Sequence, residues 1–173
     1  MNYNINALFV HDFKFKRVFK NFYKKCNNFN CKTCFYFSSD YYIFLKENFL
    51  LPIFDNSNCK TRNCVYMLDS KLCGFKYIGE TSCISTRIYN HIQDIKHFTK
   101  YDKNMNKCVA KHFNLHGHDY IRDFYAYIIF KDIEPVEKRL MYETFFINFF
   151  RRFNIRIYND KIPKLFAYNE KRF

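Results

Sequence analysis

The chain has 173 residues and carries 29 Lys and Arg against 16 Asp and Glu, a formal net charge of +13. That length suits one domain with an appendage and is enough to bury a core, while the charge points to a polyanionic partner, nucleic acid first. No stretch is long and apolar enough for a membrane span, and the early apolar run "NALFV" is too short for a secretory leader.

The expectation is therefore a soluble, intracellular protein with a nuclear location. Its 8 cysteines, in a reducing compartment, read as metal ligands rather than disulfides. The 22% aromatic content reflects an A+T-biased coding sequence, so most of the 23 Phe are expected to fill the core.

Along the chain, residues 7–25 place Phe9, Phe13, Val18 and Phe22 at near-helical spacing among lysines, which predicts a basic amphipathic helix. A cysteine cluster follows, then a strand-like "YYIFL", the apolar "FLLPIF" and a polar turn region. "CVYML" and "FKYIGE", joined by "DSKLCG", predict a β-hairpin. "SCISTRIYNHIQDIKHF" predicts a helix with Ser82 as N-cap. After the loop "YDKNMNK" come a short helix "CVAKHFNLH", a strand within "IRDFYAYIIF" and a helix "PVEKRLMYETFFINFFRRF" with Pro135 in its first turn. The core order is β-β-α-α-β-α.

Several side chains on this frame suit phosphodiester chemistry. Arg87, His91 and Ile95 share one helix face at i, i+4 and i+8. Tyr66 and Tyr77 lie on adjoining strands, as candidate cross-strand neighbours. Glu143 falls mid-helix between Tyr142 and a run of Phe, an odd place for a carboxylate without a partner. An arginine offers bidentate positive charge to phosphate, a carboxylate holds Mg²⁺, and a tyrosine with a histidine beside it positions or deprotonates water.

With "CVY" at 64–66 and "YIG" at 77–79, the chain resembles the GIY-YIG nuclease family, with Cys64 where that family often has Gly. The resemblance implies an α+β fold with a short antiparallel sheet flanked by helices. It makes residues 61–173 a nuclease domain and residues 1–60 an extension holding the basic helix and a zinc knuckle. Tyr66 and Tyr77 would be the paired motif tyrosines, Arg87 the arginine that follows, and His91 its neighbour one turn on. Glu143 would be the glutamate that binds catalytic Mg²⁺ or Mn²⁺. Asn159 matches the asparagine after the last helix, with Asn154 as a weaker candidate. In the implied mechanism Tyr66 acts as general base or orients water, His91 assists proton transfer, and Arg87 and Tyr77 stabilise the phosphate.

"CNNFNCKTC" spaces Cys26, Cys31 and Cys34 as C-x4-C-x2-C, and Cys59 is a candidate fourth ligand for a structural Zn²⁺. Cys73 in the hairpin turn, with His112 and His118 further on (His116 as an alternate), resembles the endonuclease domain of Penelope-like retroelements. There, two turn cysteines pair with two later histidines. Ser70 stands where the first of those cysteines is expected, and serine is a poor zinc ligand. The second site is accordingly a three-ligand site, recruits His116 or Cys64, or is empty. The resemblance implies a module that nicks target DNA and is normally fused behind a reverse transcriptase. Two other readings stand beside it: a GIY-YIG nuclease of homing or repair type, and a zinc-stabilised nucleic-acid-binding module that has lost catalysis.

Overall fold

The computed structural model describes residues 23–38, 42–46, 49–52, 57–99, 107–115, 117–160 and 163. The helix expected over 7–25 lies outside these residues except at its last three positions. The loop expected over 101–107 lies outside except at Lys107, and His116 lies outside as well.

A 3-10 turn, Cys34–Tyr36, follows the first cysteines, and β1 (Tyr42–Lys46) pairs with β2 (Phe49–Pro52) as a separate antiparallel hairpin. The main sheet is built from β3 (Arg62–Ser70), β4 (Lys76–Cys83) and β5 (Phe124–Phe130), in the order β4-β3-β5 and antiparallel throughout. Helix α1 (Ile84–Lys96) leaves β4 directly, α2 (Cys108–Leu115) precedes β5, and α3 (Val136–Arg152) follows it. The chain is α+β, and its β-β-α-α-β-α order agrees with the sequence pattern.

Alternation along β3 decides which layer covers each face. Cys64, Tyr66 and Leu68 pack with Ile84, Ile88, Ile92 and Ile95 of α1 and with Val109, Ala110 and Phe113 of α2. Val65 and Met67 point the other way and meet Phe146, Ile147 and Phe150 of α3. Among the described residues, Phe37, Phe113, Phe124, Phe146 and Phe150 are buried in this core. Phe29 and Phe35, beside the cysteine cluster, are exposed.

Each edge of the sheet is covered in part, which limits the hazard of unpaired strand edges. On the β5 side, Phe37 bridges Ala126, the Ser38 amide donates to the Ala126 carbonyl at 3.2 Å, and Tyr36 packs edge-on against Phe124. On the β4 side, the segment after α3 runs alongside. The Lys76 amide donates to the Arg156 carbonyl at 2.9 Å, and the Tyr158 amide donates to the Lys76 carbonyl at 3.0 Å.

Two local expectations need correction. Ser82 is not the N-cap of α1: β4 continues through Cys83, which takes the capping position without a side-chain cap bond. The strand therefore passes straight into the helix. Pro135 sits at the N-cap of α3, one residue ahead of the first turn.

Candidate active site and metal centres

The register sets the tyrosines. Tyr66 pairs with Gly79 and Leu68 with Tyr77, so the two tyrosines share a face as diagonal neighbours rather than a directly opposed pair. Their ring centroids are 6.2 Å apart. The phenol of Tyr66 lies across Gly79, where an added Cβ would fall 2.5 Å from Oη and 2.6 Å from Cζ. The glycine of "YIG" is thus a steric requirement for the tyrosine of "CVY".

Helix α1 brings the next two groups. Arg87 Nε donates to Tyr66 Oη at 2.9 Å, and Tyr66 Oη lies 2.8 Å from His91 Nε2. Arg87 can only donate, and the direction of the Tyr66–His91 bond is set by the imidazole tautomer. Burial, with the Arg87 charge adding, pushes His91 down to about 3, so the ring is neutral and free to accept. Burial holds Tyr66 well above the ordinary phenol range, with the neighbouring Tyr77 contributing. The trio is a neutral phenol held between a cation and a neutral ring. Arg87 reaches the Tyr77 hydroxyl too, and Tyr77 remains half-buried, within reach of solvent.

Glu143 comes from the opposite layer. Burial, then repulsion from Glu80, pushes its carboxyl up to about 7, while Arg87 pulls the other way. Glu143 and Arg87 are therefore in electrostatic reach of each other across β4. Glu143 makes no ion pair among the described residues. Glu80, by contrast, is held by Arg139 Nε at 2.8 Å, and the same guanidinium donates to the Ile133 carbonyl at 3.1 Å. A half-buried carboxylate with raised proton affinity offers one hard oxygen ligand, which a divalent cation would complete with water and phosphate oxygens.

Asn159 has a different task. Its Oδ1 accepts from the Ile78 amide at 2.9 Å and its Nδ2 donates to the Ile78 carbonyl at 2.7 Å. The side chain stands in for the next rung of a β-ladder and continues the pairing that Arg156 and Tyr158 make with Lys76. It fixes the backbone between Tyr77 and Gly79, a positioning role. Asn154, the alternative, ends α3 in the left-handed region at φ 53° and lies outside this group.

The cysteine cluster assembles as the spacing predicts. The sulfurs of Cys26, Cys31, Cys34 and Cys59 all lie within 4.8 Å of one another, with Cys31–Cys59 at 3.6 Å and Cys26–Cys34 at 3.4 Å. Four thiolates about 2.3 Å from a tetrahedral zinc stand about 3.8 Å apart, so the set fits a metal such as zinc. The Cys26 amide and the Tyr23 hydroxyl donate to Cys34 Sγ at 3.3 and 3.0 Å, and Tyr23 stacks on Phe37 at 4.4 Å. The cluster is thereby tied to the turn that covers the β5 edge.

The turn cysteine and the later histidines also meet. Cys73, His112 and His118 offer three ligand atoms within 4.8 Å of one another, and Cys73 Sγ lies 3.3 Å from His112 Nε2. Cys64 does not join them; it is buried in the sheet opposite Thr81. Sequence reasoning missed Tyr158, which stacks on His112 at 4.6 Å and on Tyr77 at 5.9 Å, and so links this cluster to the motif tyrosine. It also missed the Arg139–Glu80 pair beside Glu143. Neither has a local signal, since both depend on where α3 and its following segment dock.

Comparison of the chain with protein-family models, with curated proteins and with solved structures finds no match.

Proposed function

We propose that the chain is a divalent-metal-dependent DNA endonuclease of the GIY-YIG type, resembling the module that nicks target DNA for Penelope-like retroelements. The observation that carries this reading is the convergence of Tyr66, Tyr77, Arg87, His91 and Glu143, from both helical layers, around one stretch of β4. A purely structural role leaves a raised-pKa carboxylate, a half-buried arginine and a half-buried tyrosine together at that place without a purpose. The +13 charge supplies the affinity for a polyanion.

In this reading Glu143 would hold Mg²⁺ or Mn²⁺, and the ion when bound would supply Lewis acidity toward phosphate oxygens and water. Arg87 donates to a phosphate oxygen as charge builds there, with its Nε kept in register by Tyr66 Oη. Tyr77, half-buried beside Arg87, orients the phosphate or the attacking water through its hydroxyl. Of the two roles implied for Tyr66, orientation is the better supported. Its hydroxyl is engaged by both Arg87 and His91, and burial opposes both the phenolate and the imidazolium. The four-cysteine cluster is the structural zinc site, and DNA is the partner.

The test is cleavage of supercoiled plasmid with Mg²⁺ or Mn²⁺ by the wild type, Glu143→Ala and Tyr66→Phe. Metal-dependent nicking that is lost with Glu143 supports the reading. Salt-sensitive DNA binding without cleavage under any metal would replace it with a binding module.

A further inference from the structure

The four-cysteine cluster carries two features that holding a metal does not use. The first is aromatic. Phe29, between Cys26 and Cys31, is fully exposed, and Phe35, next to Cys34, is 60% exposed. Local structure holds both rings out. The Cys31 amide donates to the Asn28 carbonyl at 3.1 Å and the Asn30 amide to Asn28 Oδ1 at 3.0 Å, which closes a turn with Phe29 at its tip. Phe35 lies in the 3-10 turn, edge-on to Tyr36 at 5.3 Å, and Tyr36 packs in turn on Phe124 of β5. Burying a Phe ring is favourable, so rings held out on fixed turns favour contact with a partner. The second feature is charge. The segments that build the cluster, 23–38 and 57–62, contain Lys24, Lys25, Lys32, Lys60 and Arg62, all exposed, and no Asp or Glu. Four thiolates around a divalent ion leave two negative charges, so these cations still predominate.

We propose that the surface of the cysteine cluster binds single-stranded DNA, with Phe29 and Phe35 stacking on unpaired bases while the surrounding cations hold the phosphates. The combination selects the partner. An acidic peptide would satisfy the cations and an apolar one the rings, whereas a single strand offers an aromatic face and an anion at every nucleotide. Duplex DNA offers the anions, but its bases are already stacked, and a side chain reaches their faces only by unstacking a step. The turns contribute as well, because rings already fixed in place lose little freedom on binding. The inference rests on the DNA-partner part of the reading above and is independent of cleavage.

The chain contains no Trp, so Phe29→Trp places a single fluorescent reporter at the tip of the turn. The zinc-loaded full chain, without added magnesium, is titrated with oligothymidylate, with a duplex, and with an abasic strand of the same length, which keeps the phosphates and lacks the bases. Oligothymidylate should quench the tryptophan emission saturably, while the abasic strand and the duplex leave it nearly unchanged. In anisotropy titrations of labelled strands the wild type should prefer oligothymidylate to the abasic strand. Phe29→Ala and Phe35→Ala should each lower the oligothymidylate affinity about tenfold and leave the abasic-strand affinity in place. Both rings are exposed, so neither substitution opens the core. Binding of oligothymidylate without quenching, or a double variant that keeps the preference for it, would overturn the proposal. A wild type that binds duplex with no preference for oligothymidylate would overturn this inference alone, and one that binds no DNA would overturn the DNA-partner reading with it. Self-association of the wild type that the double variant loses, measured by analytical ultracentrifugation, would assign the rings to a second copy of the chain instead.

Discussion

Glu143→Gln should make the protein more stable and less active at once. The carboxyl rises from its ordinary 4.5 to about 7, because burial and Glu80 both oppose its charge. At 1.36 kcal/mol per pH unit that rise corresponds to about 3 kcal/mol, and roughly 2 kcal/mol once partial exposure is allowed for. The sign follows from proton binding. Between pH 4.5 and about 7 the folded chain holds a proton at Glu143 that the unfolded chain has released, so this group's contribution falls as pH rises through that window. Glutamine has no charge to desolvate. The two proteins should therefore melt together near pH 4.5 and diverge up to about pH 7, with Glu143→Gln the more stable by roughly 4–8 °C above that.

Thermal melts of zinc-loaded protein without added magnesium, from pH 5 to 8, measure the difference. The acid sensitivity of the cysteine cluster is common to both proteins and cancels. Adding Mg²⁺ should then raise the melting temperature of the wild type and leave Glu143→Gln unmoved, because only a carboxylate gains from the ion. A glutamine variant that is less stable than wild type at pH 8, or parallel to it at every pH, would show that Glu143 is a satisfied structural carboxylate. The metal-site argument would fall with it.

Gly79→Ala should cost about 1–3 kcal/mol through overpacking, since its Cβ meets the phenol of Tyr66, and should abolish nicking by dislodging Tyr66 from Arg87 and His91; a urea titration and a plasmid assay report the two effects. Asn159→Ala strands the Ile78 amide and carbonyl, so we expect a loss of about 2–4 kcal/mol in the same titration, and Asn159→Asp should restore only the accepting half. Removing zinc with a strong chelator, or Cys59→Ser, should loosen the cover on β5 and increase amide hydrogen exchange around Ala126 in mass-spectrometric measurements. DNA binding followed by fluorescence anisotropy should weaken steeply between low and physiological salt, on any sequence, and a flat salt response would remove the charge argument.

The parts of this molecule that were legible in the sequence are those with a local physical cause. The hairpin of β3 and β4 follows from alternating side chains around a turn closed by Gly74 at φ 70°. The face of α1 follows from Ile84, Ile88, His91, Ile92 and Ile95, whose spacing is that of one buried helical stripe. The cysteine cluster was legible because C-x4-C-x2-C is a spacing that few other demands produce. Ser82 misled for a local reason: a hydroxyl before a helical run reads as a cap, and nothing in the pattern says that a strand will keep its extended conformation through Cys83. Other features were hidden because their causes are distant in the chain. The resemblance singled out Asn159, but nothing local says that its side chain pairs with the backbone of Ile78, 81 positions earlier. Glu80 reads as a solvated charge until Arg139 arrives on α3. Tyr158 gives no sign that it will lie between His112 and Tyr77.

The distant features share one consequence for how the site is built. β4 is an edge strand, and under the proposed function it carries side chains whose backbone must be held without a full neighbouring strand. The tail after α3 does this with two backbone bonds at Lys76 and two side-chain bonds at Ile78, the last such rung among the described residues. Beyond that point the edge is left to Gly79, whose lack of a side chain admits the Tyr66 phenol, and to Glu80, which Arg139 holds beside Glu143. Among the described residues, the stretch of β4 past this last bond is where groups from both helical layers come within electrostatic reach of one another. Under the proposed function, the amide of Asn159 therefore holds the backbone of β4 immediately before the stretch at which a phosphate would enter.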